Sequence, residues 1–407
     1  MLILPAILSP AGIEAKDVVI ATAVSSGVGS ILIGYFSNLP FVVFPGLGIS
    51  AAVAGIVAKG DSLELALTAS FMAGLFTLIL TYVGATAKIA EAVPKCVKIS
   101  TIMGMGLLIA FIGLRIVEII VANTETLLNI GDLGGMNQIL TLTGVLLTIS
   151  LIYHKVQGAV LIGLVTMSIL SWSIENTWPT DVLSLPLMAA SLPTTITTHL
   201  NFTTLGTYKS WESIISLVFV MIFDISGIIF GLGSMCKITE PDGTVSGTAW
   251  AFGSSSISTM LGAGLGTTPA IIAIESAAGI GDGAKTGLSS IVCGLLFLFS
   301  VFFSPLFSEI PVAATAPVLI IVGWMMIAQA KEIKWDELTE SLPAFLTMIM
   351  MPFTYSITVG IAFGVGASAA LYVTTGKLFQ DWGWIERENM PKGFKEEYTP
   401  ISIANDM

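Results

Sequence analysis

The sequence predicts an all-α polytopic membrane protein of fourteen segments in two inverted seven-segment halves, with short strands in segments 3 and 10. Three observations carry this. Of 407 residues, 54% are apolar and 11% charged, where a soluble domain carries roughly 25% charged residues, and the mean hydropathy is +0.91. Uncharged runs recur at 18–58, 65–87, 99–114, 133–154, 156–174, 243–274, 286–308, 310–330 and 341–376, and a bilayer span needs about 20 apolar residues. Two of these runs are interrupted by Gly and Pro in the same manner, each at the third place of its half.

Segment 1 is anomalous. Met1–Leu8 is apolar, too short to span, and lacks the charged start of a signal peptide. It reads as the end of a helix whose beginning is missing from this chain, with a re-entrant or interfacial piece as the alternative. Segment 2 lies near 18–37. Segment 3, near 42–58, opens with the extended run Phe41-Val42-Val43-Phe44 and enters a short helix through Pro45-Gly46-Leu47-Gly48. Segments 4 to 7 follow near 64–86, 98–120, 137–153 and 157–174. The second half reads as 212–234, 247–263, 269–281, 286–307, 311–329, 340–355 and 357–375. The 41 glycines suit helices that pack backbone to backbone in lipid.

Basic residues set the orientation. With a cytoplasmic start, twelve Lys and Arg fall on the cytoplasmic side, and Lys16, Lys59 and Lys209 on the other. Arg115 falls within a helix, three residues from Glu118, and the default there is a snorkelling ion pair. The connection after residue 175 carries Asn201-Phe202-Thr203, a glycosylation pattern, and comes out external. The tail from Lys377, with Trp382 and Trp384, comes out cytoplasmic.

Several classes are excluded. A net charge of −11 argues against nucleic acid. Cys96, Cys236 and Cys293 are too scattered for a disulfide framework or a zinc site, and His154 and His199 are too far apart for a helical metal pair. Neither metal nor cofactor is expected.

The informative residues are acids at membrane depth, which are costly and usually face a pathway or a partner. Asp224 sits near the middle of segment 8. Glu275 lies in segment 10, after Gly264, Gly266 and Pro269 disfavour a continuous helix, Ile271-Ile272-Ala273-Ile274 favours a strand, and Glu275-Ser276-Ala277 suits a helix start. Extended chain at that depth must be shielded by protein or line a cavity. Two interrupted segments in corresponding halves point to a transport site. Helix starts at Gly46–Ser50 and Glu275–Ala277 then face each other, their free N–H groups able to meet a carbonyl or ring nitrogen. The two carboxylates can accept ring or exocyclic N–H bonds, and an acid with two usable protonation states suits proton coupling. The bland alternatives are an Asp224 bonded to a Ser or to backbone for packing, and a Glu275 that is an ordinary helix-start acid.

At these residues the chain resembles the adenine/guanine/hypoxanthine permeases, the azaguanine-resistance-type branch of the xanthine/uracil permease (nucleobase–cation symporter 2) superfamily. The likeness covers residues 1–376. It rests on Pro45-Gly46-Leu47-Gly48, Phe223-Asp224, Gly266-Thr267-Thr268, Ile274-Glu275-Ser276-Ala277-Ala278-Gly279 with Thr286-Gly287-Leu288, Phe302-Phe303-Ser304-Pro305-Leu306, Ala314-Thr315-Ala316-Pro317 with Val322-Gly323, and Met351-Pro352-Phe353-Thr354-Tyr355-Ser356-Ile357. The resemblance implies a core domain (1–90 and 212–308) moving against a gate domain (98–176 and 311–376), an external loop at 177–211 and a cytoplasmic tail at 377–407. It implies proton-coupled import of purine nucleobases across the plasma membrane, Na⁺ being the lesser candidate, with a homodimer left open. Substrate would bind between segments 3 and 10, at Asp224, Glu275, Ser276, Gly46, Gly48, Ser50, Thr267 and Thr268, with Glu275 and Asp224 coupling the proton.

The chain departs from the family pattern at Gly48-Ile49-Ser50, where Gly-Leu-Asn is usual. It departs again at Ile271 and Ala273, where Thr and Tyr are usual, and at Ile225 and Ile228, where Thr is usual. These changes remove polar groups near the site, and hydrogen-bonding groups are what discriminate ligands strongly. The competing readings are a same-fold carrier of another nucleobase or a small anion, a transport-inactive truncated relative, and an intramembrane aspartyl hydrolase. The last lacks its Gly-x-Gly-Asp and Tyr-Asp motifs.

Overall fold

The computed structural model describes residues 4–8, 15–58, 60–86, 94–123, 125–179, 183, 200–236, 238, 245–273, 275–281 and 283–375. Lys59, Lys237, His199, most of the 177–199 connection and the tail with Trp382 and Trp384 lie outside them.

In chain order, α1 (Leu4–Leu8) and α2 (Ala15–Phe36) precede the strand β1 (Val43–Pro45), which runs straight into the half-helix α3 (Leu47–Ala58). Then come α4 (Leu63–Tyr82), α5 (Lys95–Ile116), a hairpin of β2 (Ile120–Asn123) and β3 (Leu127–Ile130), α6 (Met136–Tyr153) and α7 (Ala159–Glu175). The second half is α8 (Tyr208–Cys236), α9 (Thr248–Leu265), the strand β4 (Ala270–Ile272) and the half-helix α10 (Ser276–Gly281). It ends with α11 (Gly287–Ser308), α12 (Val312–Ile327), α13 (Leu338–Thr354) and α14 (Ile357–Thr374). Among the described residues, seven helices are long and apolar enough to cross a bilayer by length and composition. The predicted helices all appear, and both interrupted segments are a strand followed by a half-helix.

The two strands pair antiparallel, Val43 opposite Ile272, Phe44 opposite Ile271 and Pro45 opposite Ala270. Strands at membrane depth are stable only if every backbone group finds a partner. The ladder satisfies the facing edges, and Ala273 N–H extends it to Val42 C=O at 2.8 Å. Hydroxyls satisfy the outer edges. Ser30 on α2 donates to Val43 C=O (3.1 Å) and accepts from Val43 N–H (3.0 Å). Thr259 on α9 does the same for Ala270, at 3.1 and 2.9 Å, and Ser255 adds a second donor to Ala270 C=O. A two-fold exchange through the Phe44–Ile271 pair carries Val43 onto Ala270, so the two hydroxyl clamps are mates. Ser30→Ala and Thr259→Val should each cost about 1–3 kcal/mol, the penalty for a buried group left unpaired. A thermal melt in detergent checks this; an unchanged midpoint for both would show that the clamps carry no load.

The same exchange organises the helices. Most major packing pairs have a counterpart seven segments on: α4–α9 answers α2–α11, α5–α13 answers α6–α12, α13–α14 answers α6–α7, and α5–α14 answers α7–α12. The pairs α2–α9, β1–β4 and α5–α12 answer themselves. At the α5–α12 crossing a Cβ on Gly106 would stand 2.6 Å from the Gly323 carbonyl, and Gly323 meets the Gly106 carbonyl in return. Bare backbone lets the axial helices approach this closely. The chain is an inverted repeat.

After α5 the chain forms a β2–β3 hairpin that sequence reasoning did not anticipate, residues 120–123 pairing with 127–130, and one local expectation is corrected. Arg115 and Glu118 do not pair: among the described residues the ion pairs are Asp61–Lys209 and Lys334–Glu337. Glu118 takes a left-handed backbone at φ 58° as the chain leaves the helix, and the Arg115 guanidinium stands 5.9 Å from the centre of the Tyr355 ring.

Candidate functional site

The strand crossing brings the starts of α3 and α10 to the middle of the chain fold, with β4 and α10 packed on α8. Local sequence dictates this. Gly266 ends α9 at φ 93°, which only glycine adopts freely. Pro269 then holds the chain extended into β4. On the other side Pro45-Gly46 turns β1 into α3.

Hydroxyls from the two halves lock the crossing. Ser50 donates to Gly46 C=O and shares a 2.6 Å hydrogen bond with Thr268. Thr267 shares one of 3.0 Å with Thr22 of α2. Ser276 accepts from Val42 N–H at 3.0 Å. All four predicted hydroxyl residues are buried, and each joins segment 10 to segment 2 or 3. Gly46 lies under the Ile271 side chain, which stands where a Cβ would go, and Gly48 lies against Met105 of α5.

The acids differ from the hydroxyls. Asp224 is 6% exposed, and among the described residues no hydrogen bond or ion pair reaches its carboxylate. A buried carboxylate is costly without a partner. Glu275 is exposed, one residue before α10 begins. The structure therefore sets one buried and one accessible carboxylate on neighbouring elements. No three His, Cys, Asp or Glu side chains converge among the described residues in a way that could hold a metal ion.

Sequence reasoning missed Thr22, Ser30, Ser255 and Thr259. Their signal was the density of hydroxyls on the apolar helices of segments 2 and 9, as in Ser25-Ser26 and Ser254-Ser255-Ser256.

An inverted repeat with strand-interrupted segments crossing at its centre, and acids beside them, is the architecture of a multi-pass membrane transporter. The chain matches the Permease family over residues 1–363. It is 32% identical to the adenine permease AdeP of Escherichia coli, over 92% of this chain and 84% of that one. It is 36% identical to the guanine/hypoxanthine permease PbuG of Bacillus subtilis, over 86% of this chain and 80% of that one. The solved transmembrane domain of a cyanobacterial bicarbonate transporter, BicA, shares the fold at a TM-score of 0.58 and 16% identity, over 90% of this chain and 96% of that one. The chain belongs to the xanthine/uracil permease family, in the branch of the adenine and guanine/hypoxanthine permeases. It is a transporter, not an enzyme.

Proposed function

We propose that the chain imports purine nucleobases, adenine, guanine and hypoxanthine among them, by proton symport. The observation that carries this is the buried Asp224 carboxylate with no partner among the described residues, beside the half-helix that presents Glu275. A purine offers ring and exocyclic N–H donors to such oxygens, and its ring nitrogens and carbonyls can accept from free N–H groups at a half-helix start. Glu275, Asp224 and the α3 and α10 starts (Gly46, Gly48, Ser50, Ser276) with Thr267 and Thr268 form the site in this reading. Segments 1–4 and 8–11 form a core that moves as an elevator against a gate of segments 5–7 and 12–14, in the plasma membrane with the C-terminus in the cytoplasm. The packing of α2 with α9 and α11, and of α5 with α12 and α13, supports that division.

The second reading is a small anion, favoured by the shared fold of the bicarbonate transporter. That likeness concerns the fold alone, and an anion at this crossing would meet two carboxylates. The test is uptake of labelled adenine into vesicles, competed by a panel of solutes. Guanine and hypoxanthine should compete while bicarbonate does not. Competition by bicarbonate, or by uracil but no purine, would overturn the purine assignment.

A further inference from the structure

Two turns beyond the crossing, α3, the head of α8 and the break between α13 and α14 enclose a cleft of about 180 Å³. Gly55, Asp61, Ser213, Ser216, Tyr355 and Ser356 line it. Ser213, Ser216 and Val220 share a face of α8 with Asp224, at helical spacing. The cleft thus opens onto the stripe that leads to the buried acid, about 16 Å further along the helix from Ser213.

The two walls are built differently. On the α3–α8 side, Lys209 pairs with Asp61 at 3.0 Å, and Asn201 bonds Thr68 and Glu64, each at 2.9 Å. These contacts fasten Asp61 and the start of α4 to the approach to α8. The opposite wall is Tyr355, a non-glycine residue at φ 52°, in a backbone region that L-residues rarely occupy unless the surroundings impose it. Arg115 stands over its ring, 5.9 Å from the centroid, and Phe111 meets the ring edge-on at 6.3 Å.

The walls touch through α3. Gly48 and Gly55 lie seven residues apart on one face of that helix. Gly48 rests on Met105, and a Cβ at Gly55 would stand 2.7 Å from the Tyr355 carbonyl oxygen. A side chain could swing away from such a clash, but a main-chain carbonyl in a constrained turn cannot.

We infer that this cleft is the external mouth of the substrate path, and that the contact of Gly55 with the Tyr355 main chain is the gate that closes it. Movement of α3 off Tyr355 opens the cleft down the α8 stripe to Asp224. The pair of Arg115 and Phe111 holds Tyr355 still as α3 leaves. The gate rests on the transport reading above, though not on which solute is carried.

The test uses a chain with Cys96, Cys236 and Cys293 replaced by alanine and Ser213→Cys as a reporter, in right-side-out and inside-out vesicles. A membrane-impermeant maleimide should label the reporter from the external face only. Adding Gly55→Val should raise the labelling rate about tenfold by displacing the closed state, and should cut uptake of labelled adenine by a similar factor. If Gly55→Val does not fold, Gly55→Ala, which adds the single Cβ, carries the same comparison. Labelling that is unchanged or slower in a folded Gly55 variant overturns the gate, as does labelling from the cytoplasmic face alone. Labelling needs no substrate. A parent chain that takes up no purine would sink the purine reading and leave the maleimide comparison to decide the gate.

Discussion

Glu275→Gln is expected to abolish accumulation of labelled purine driven by an acid-outside pH gradient, while keeping equilibrium binding within about tenfold, the scale of one hydrogen bond. Glu275 is the accessible member of the pair, at the start of a half-helix. Protonated, a carboxyl is neutral and cheap to carry through a closed, dry state. Ionised, it accepts N–H bonds and is well solvated when the site is open. A carrier that must load a proton together with its substrate can use both forms of one group. Gln keeps the shape and a carbonyl acceptor but has a single protonation state. Exchange of labelled for unlabelled purine should therefore survive, and concentrative uptake should not. Accumulation by Glu275→Gln against a purine gradient would remove Glu275 from the coupling step.

Asp224→Asn is expected to act on affinity. If the Asp224 oxygens accept N–H bonds from the ligand, replacing one oxygen by an NH2 loses a charge-assisted bond. At about 1.5–3 kcal/mol for such a bond, purine binding should weaken roughly tenfold to a hundredfold. The protein itself should not suffer. No described group depends on this carboxylate, so none of these groups is orphaned, and a neutral amide is less costly to bury. The melting midpoint should stay level or rise. A fall in midpoint with unchanged affinity would mean that Asp224 holds the fold and not the ligand.

Much of this architecture was legible because membrane depth narrows the choices. Uncharged runs located the helices to within a few residues. Pro45-Gly46, and Gly266 with Pro269, marked where helix gives way to strand. Asp224 and Glu275 stood out because acids are rare in such runs. What could not be read was side-chain partnership across hundreds of residues. Ser50 and Thr268 belong to different halves, and nothing local announces their bond. The clamps of Ser30 and Thr259 depend on the strands lying beside α2 and α9, which is a tertiary fact. Arg115 was misread for the same reason. Sequence proximity favoured Glu118, while the fold delivered an aromatic ring from the break between α13 and α14. The β2–β3 hairpin escaped because Leu127 to Ile130 is short and wholly exposed, without the apolar alternation that identifies a strand.

The exchange that relates the two strands stops short of the side chains. Four residues beyond Phe44 the chain carries Gly48, and four residues beyond Ile271 it carries Glu275. The cradle is thus alike at both ends in its backbone and unlike in its chemistry, one end bare and the other anionic. A flat solute laid across it has two poses related by turning it end over end. A cradle with matched ends would accept both. With purine bound as proposed above, the favoured pose turns donor N–H groups toward Glu275, so a duplicated scaffold gains handedness where the sequences of its two halves differ.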